Sequence, residues 1–352
     1  MFANRWKSLL LSAVGALACV MVFSATMVPA RAADQELIDA AKAEGEVVWY
    51  TTLIVNQLVR PMVEAFEEKY GITVRYARAN STETALKILN EARAGQVQVD
   101  VFDGTSTVEP LKKEGIVLKW QPDSAADLPE EFIDQEGYWV ATNLYMLTPA
   151  FNTAMVEPGS EPKTWDDLLD PKWKGNIAWT GTSSTSGGPG FVGLVLEVMG
   201  EEKGMEFLRK MAEQDVVNLS VSARQVLDRV IAGEYPIALQ IFNHHTIISG
   251  KKGAPIQWIP MQPAVLGNLS TTGIAKDAPH PNAAKLLFDF LISEEGQKVF
   301  QQAGYLPMLP GVPALTPELK PEQGGFKAVF FTPEEIGEKL PQWTEVFGEL
   351  FR

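Results

Sequence analysis

Short apolar runs alternate with longer amphipathic stretches along most of this chain, and that rhythm limits the fold more than any other feature. Val47-Val48-Trp49-Tyr50 is apolar at every position, as a strand covered on both faces requires. Residues 35–44 before it read as an amphipathic helix closed by Gly45. A helical stretch after it carries Met62, Val63, Phe66 and Tyr70 and ends at Gly71. Ile72, Val74 and Tyr76 alternate as a strand, Asn80 and Glu83 have capping-box spacing for a helix through Ala94, and 99–102 is a further strand. A less regular stretch follows, punctuated by Pro158, Pro162 and Pro171. The alternation then resumes with a strand at 177–180, helices at 191–199 and 203–214, and a helix over 222–232 capped by Ser222. Strands at 236–241 and 256–259 and helices at 282–291 and 294–303 complete it. The pattern predicts an α/β fold with mostly parallel sheet, and 352 residues suffice for two lobes with their own cores.

The first 32 residues read differently. Arg5 and Lys7 precede an uncharged apolar run over 9–28, and Ala30-Arg31-Ala32 offers a small-x-small cleavage site. That order is the signature of a secretory signal peptide, which implies export to the periplasm. Removing Arg5, Lys7 and Arg31 from 30 basic residues leaves 27 against 44 acidic ones, a net charge of −17. So acidic a surface argues against nucleic acid and anionic lipid as partners. The one cysteine, Cys19, falls within the signal, so cysteine chemistry is excluded from the exported chain.

Open parallel sheets bind ligands beyond the carboxyl ends of their strands, which directs attention to 51–54, 103–106, 180–190 and 242–246. The run Thr182-Ser183-Ser184-Thr185-Ser186-Gly187 follows a strand and precedes a helix; its small residues let amides and hydroxyls approach an anion, although such a run also suits a plain surface loop. Arg224 sits in the first turn of a helix, where a cation opposes the dipole. A ligand anion would relieve that conflict, and so would Asp228 at i+4. Asn243-His244-His245 follows the strand at 236–241. Two adjacent imidazoles supply only two of the three or four ligands a zinc site needs, so hydrogen bonding to an organic ligand is the better use. Gly-x-Ser-x-Gly, His-Glu-x-x-His and dinucleotide fingerprints are all lacking, so no residue takes a catalytic role and no cofactor is called for.

Two further stretches are distinctive: Thr164-Trp165-Asp166-Asp167-Leu168-Leu169-Asp170-Pro171-Lys172-Trp173-Lys174-Gly175, and Ser293-Glu294-Glu295-Gly296-Gln297. With the order signal peptide, α/β lobe, α/β lobe, they resemble the extracellular solute-binding proteins of bacterial ABC importers, in the ferric-iron-binding-protein-like group with the type II two-lobe fold. The resemblance covers essentially the whole exported chain. It implies a chain crossing between lobes near 141–149 and 263–272. Lobe 1 would then be 33–142 plus 268–310, lobe 2 would be 143–267, and 311–352 would be a C-terminal helical extension. It also implies a ligand in the cleft, lobe closure by hinge motion, and delivery to permease subunits in the inner membrane by a monomer.

Where iron binders of this group carry tandem tyrosines, this chain has His244 and His245; where they place a histidine after the first strand, it has Thr51 and Thr52; and Thr105 stands at an acidic ligand position. Ferric iron prefers anionic oxygen donors, so these changes disfavour it. The resemblance keeps the anion half of the site, Ser183–Gly187 and Arg224. A small organic anion is therefore expected, a carboxylate, phosphonate or phosphate ester, with Thr51, Thr52, Thr105, Asn243, His244 and His245 reading its remainder. Trp49, Trp179 or Phe242 would stack on a ring. The alternatives are a metal on His244 and His245, and a secreted hydrolase on the same fold.

Overall fold

The protein is described by a computed structural model over residues 35–157 and 159–351, so the expected export signal lies outside the described residues. The first part of the chain forms α1 (Gln35–Glu44), β1 (Glu46–Thr51), α2 (Arg60–Tyr70), β2 (Thr73–Arg78), α3 (Ser81–Arg93), β3 (Val101–Gly104), α4 (Val108–Lys113) and the long β4 (Val140–Asn152). Next come β5 (Ile177–Thr180), α5 (Gly188–Met199), α6 (Glu201–Ala212), β6 (Val217–Leu219), α7 (Ala223–Ile231), β7 (Ile237–Phe242), α8 (Asn243–Gly250) and β8 (Ile256–Trp258). The rest comprises β9 (Val265–Ile274), α9 (Pro281–Ile292), α10 (Glu294–Gln302), β10 (Leu306–Pro307), α11 (Pro321–Gly324), β11 (Ala328–Phe330) and α12 (Pro333–Leu350). The Asn80/Glu83 capping box forms on α3 as its spacing demands, Ser222 caps α7 in a box with Gln225, and Thr332 caps α12 in a box with Glu335.

The strands make one sheet in the order β2-β1-β3-β9-β4-β7-β5-β6. Its outer parts are parallel, β2-β1-β3 on one side and β7-β5-β6 on the other. Its centre is not. The long β4 and β9 run antiparallel from Val140↔Thr272 to Leu147↔Leu266, and each is antiparallel to its outer neighbour. The expected mostly parallel sheet holds only outside these two strands, because apolar runs report burial and carry no record of direction. Along β4 the partners change near Leu147: β9 and β10 line its first half, β7 and β8 its second.

One continuous apolar core spans both sides of the sheet, with Trp49, Phe66, Phe102 and Phe290 on the first side and Trp165, Trp179, Phe191 and Phe207 on the second. A smaller cluster of Val226, Leu227, Val230 and Ile241 lies under α7. The segment after 310, expected to be helical, also contributes β11, which pairs in parallel with β9. α12 touches both sides of the molecule. Near its start, Glu334 Oε1 accepts from Lys112 Nζ at 2.8 Å and Trp139 Nε1 at 3.0 Å. Farther along, the rings of Trp343 and Phe347 lie so close over Gly193 and Gly188 of α5 that a β-carbon would meet them at 2.5 and 2.0 Å. Only glycine fits beneath those rings.

Candidate functional site

Two threonines close β1, and a buried carboxylate fixes them. Asp103 Oδ1 accepts from the Thr52 amide at 2.9 Å and the Thr52 hydroxyl at 2.8 Å, and Asp103 Oδ2 accepts from Trp49 Nε1 at 2.8 Å. Burial pushes the Asp103 carboxyl up, and these hydrogen bonds act against that rise. Thr51 is fully buried, and its hydroxyl accepts from the Leu53 amide at 3.1 Å. Trp49, expected as a platform for a ring, is fully buried and held edge-on by Asp103; it belongs to the core.

Across the sheet, the loop after β5 carries a file of hydroxyls. Thr180 Oγ1 donates to the carbonyl of Val221, so Thr182 must donate to Thr180 at 3.1 Å, Ser184 to Thr182 at 3.1 Å and Ser186 to Ser184 at 3.2 Å. The protons of this file point into the loop. Thr185 differs, because Asn268 Nδ2 on β9 donates to its Oγ1 at 2.9 Å and leaves its own proton free. Exposed Ser183 likewise faces outward. Gly187 caps α5 without a side-chain bond, so the first amides of that helix receive no side-chain cap. Ser183 and half-buried Thr105, from opposite sides of the sheet, line one cavity of about 580 Å³.

Arg224 does not join that loop. Its guanidinium pairs with Asp228 at 2.7 Å and donates to Ser249 at 3.0 Å, because the i+4 carboxylate stands one helical turn away on the same face. Asn243, His244 and His245 do not form a loop either. They are the first turn of α8. Asn243 Nδ2 donates to the carbonyl of Leu319 at 2.9 Å, and the Nδ1 atoms of both histidines are buried without a partner among the described residues. Trp179, the other expected platform, is fully buried against Phe347 and Phe351 and donates to Asn218. Phe242 does stand at the site, 5.4 Å from the His245 ring.

Several residues missed by the sequence reading complete the picture. Tyr145, midway along β4, lies 5.3 Å from Phe242, 5.8 Å from His244 and 6.3 Å from Tyr305 between ring centres. The Tyr305 hydroxyl in turn accepts from the Ile54 amide at 3.3 Å, just beyond β1. Burial pushes both phenols up. Arg78 ends β2 beside Thr51, is exposed, and has no carboxylate partner among the described residues; its charge acts on both phenols. The carboxyl-end rule, applied to β2 as well as to its neighbours, reaches Arg78, and a tyrosine two residues after Asn143 in an apolar crossing strand is a signal of its own. Tyr305 follows a helix end and carries none.

Both imidazoles titrate below their ordinary value, chiefly through burial. His244 is also lowered by His245, and His245, with Arg224 adding to burial, is held at about 4. Above pH 6.5 both are neutral whether folded or not. Between 6.5 and 4 the unfolded chain takes up a proton that folded His245 refuses, so stability falls as acid is added, by on the order of 3 kcal/mol from this group. Urea unfolding of His245→Gln should lose about 2 kcal/mol less than the parent between pH 7 and 4.5; coincident slopes would disprove this assignment.

Among the described residues no group of three or more His, Cys, Asp or Glu side chains is placed to hold a metal, and no helix is long and apolar enough to cross a membrane. Residues 61–326 match the family of bacterial extracellular solute-binding proteins. An Fe(3+)-binding periplasmic protein of Serratia marcescens is 21% identical over 290 residues, 80% of this chain and 84% of that one. A periplasmic protein of Salmonella typhimurium, to which 2-aminoethylphosphonate binding is ascribed, is 22% identical over 83% of this chain and 84% of its own length. The periplasmic binding protein AfuA of Actinobacillus pleuropneumoniae, solved with exogenous fructose-6-phosphate, superposes with a TM-score of 0.69 at 20% identity, covering 87% of this chain and 98% of that one. The fold is thus the type II periplasmic-binding fold, and the chain belongs to the bacterial extracellular solute-binding proteins.

Proposed function

We propose that this protein captures a small organic anion, a carboxylate, phosphonate or phosphate ester, and delivers it unchanged to the permease of an ABC importer. The observation that carries the reading is Arg78: an exposed guanidinium without a carboxylate partner among the described residues, at the carboxyl end of a sheet strand, in a chain of strongly negative charge. A cation so placed attracts an anion and repels a metal ion. Ser183 and Thr185 offer hydroxyl protons to an anion. Residues 33–142 plus 268–310 and residues 143–267 are the two lobes that close on it.

The phosphonate and phosphate ester named for the Salmonella and Actinobacillus proteins fit this chemistry. A second reading, a metal ion as cargo, has its own support in the paired orphan Nδ1 atoms of His244 and His245 beside Tyr145 and Tyr305, and in the Serratia relative. Calorimetry on metal-free protein separates the two. Organic anions from a carboxylate, phosphonate and sugar-phosphate panel should give heat, and ferric or zinc ion should not. Tight metal binding that disappears in the pair His244→Ala/His245→Ala would replace the anion reading with the metal one.

A further inference from the structure

We infer that the captured anion carries an apolar body, seated in the cavity between α3 and α12 with its acidic group toward Ser183 and Thr105; this rests on the anion-capture reading above. The cavity of about 580 Å³ is larger than a bare phosphate or carboxylate needs and falls in the range of organic-ligand pockets. Its polar lining includes Thr105 and Ser183, one from each side of the sheet, and its apolar lining Leu86 and Leu89 of α3 and Ile336 and Leu340 of α12. Leu86 is 54% exposed, one of five large apolar side chains so open among the described residues. Exposure of a leucine on the wall of a cavity, where Ala85 beside it is buried, leaves apolar area that a ligand can cover.

Glu109 supplies the remaining selectivity. Its carboxylate lines the same cavity and is paired with Lys113, so this wall holds no spare positive charge. A second acidic group on the ligand would meet repulsion there, whereas an alkyl or aryl group would not. The chemistry selected is a monofunctional anion with an apolar tail, in preference to a dicarboxylate.

Calorimetry with methyl-, butyl- and hexylphosphonate on the exported chain tests this. Each buried methylene is worth about 0.8 kcal/mol, close to fourfold, so hexylphosphonate should bind at least 30-fold more tightly than methylphosphonate. In Leu86→Asn, a surface change that leaves the core intact, that ratio should fall below threefold. Equal binding of the short and long probes would overturn the apolar seat and leave anion capture standing. A 30-fold ratio that persists in Leu86→Asn would put the tail elsewhere and overturn it too. No heat from any of the three probes would count against anion capture itself, and the seat would fall with it.

Discussion

Arg78→Glu should reduce affinity for the captured anion at least 100-fold while leaving the fold intact. A charge-assisted hydrogen bond to an anion contributes about 1.5–3 kcal/mol, and reversing the charge adds repulsion to that loss. The exposed side chain has no carboxylate partner among the described residues, so unfolding free energy should change by no more than about 0.5 kcal/mol. Arg224→Ala makes the informative contrast. Its guanidinium already serves Asp228 and Ser249, so affinity should move less than threefold. Titration calorimetry of the two variants side by side reads both effects. The reverse order, with Arg224 critical and Arg78 silent, would move the anion to the other side of the sheet.

Asp103→Ala should lower stability by about 3–5 kcal/mol and abolish binding with it. Donors from three residues converge on this carboxylate: the Thr51 hydroxyl, the Thr52 amide and hydroxyl, and the Trp49 indole. Each donor left unpaired in a dry interior forfeits about 1–3 kcal/mol, and no water-filled space replaces the acceptor at a fully buried position. Asp103→Asn keeps the shape and one acceptor oxygen but turns an amide toward a donor, so roughly half the loss should remain. Urea unfolding monitored by tryptophan fluorescence measures it. A loss below about 1 kcal/mol for the alanine variant would show that these bonds do not hold the end of β1.

Much of the fold was legible because its signals are local. The apolar run ending in Trp49-Tyr50, the glycine closing α2, the Asn80/Glu83 box and the Ser222 cap each act within a few residues. Strand direction at the centre was not, since β4 and β9 pair across more than a hundred residues of intervening chain. The site was half legible for the same reason. The carboxyl-end rule pointed to Thr51, Thr105 and the Ser183–Gly187 loop and extends to Arg78 once β2 is included, whereas Tyr145 and Tyr305 come together only through the tertiary fold. Asn243 begins a helix with no capping side chain before it, and its anchor is the carbonyl of Leu319. Trp49 and Trp179 look alike in sequence, as aromatics near strand ends. Both are fully buried with their indole N–H groups hydrogen-bonded, Trp49 to Asp103 and Trp179 to Asn218, and that makes both of them core.

α12 imposes a mechanical condition on any closing of the crevice. It is bolted at Glu334 to the side that holds Lys112 and Trp139, and at Trp343 and Phe347 to the side that holds α5. Such a tie-rod would share the load of any movement between the sides and limit how wide they could swing. Pro341, between the two sets of bolts, cannot donate to the carbonyl one turn back, so the rod is weakest at its middle. If the gap closes as proposed, bending there would let it narrow without either end letting go.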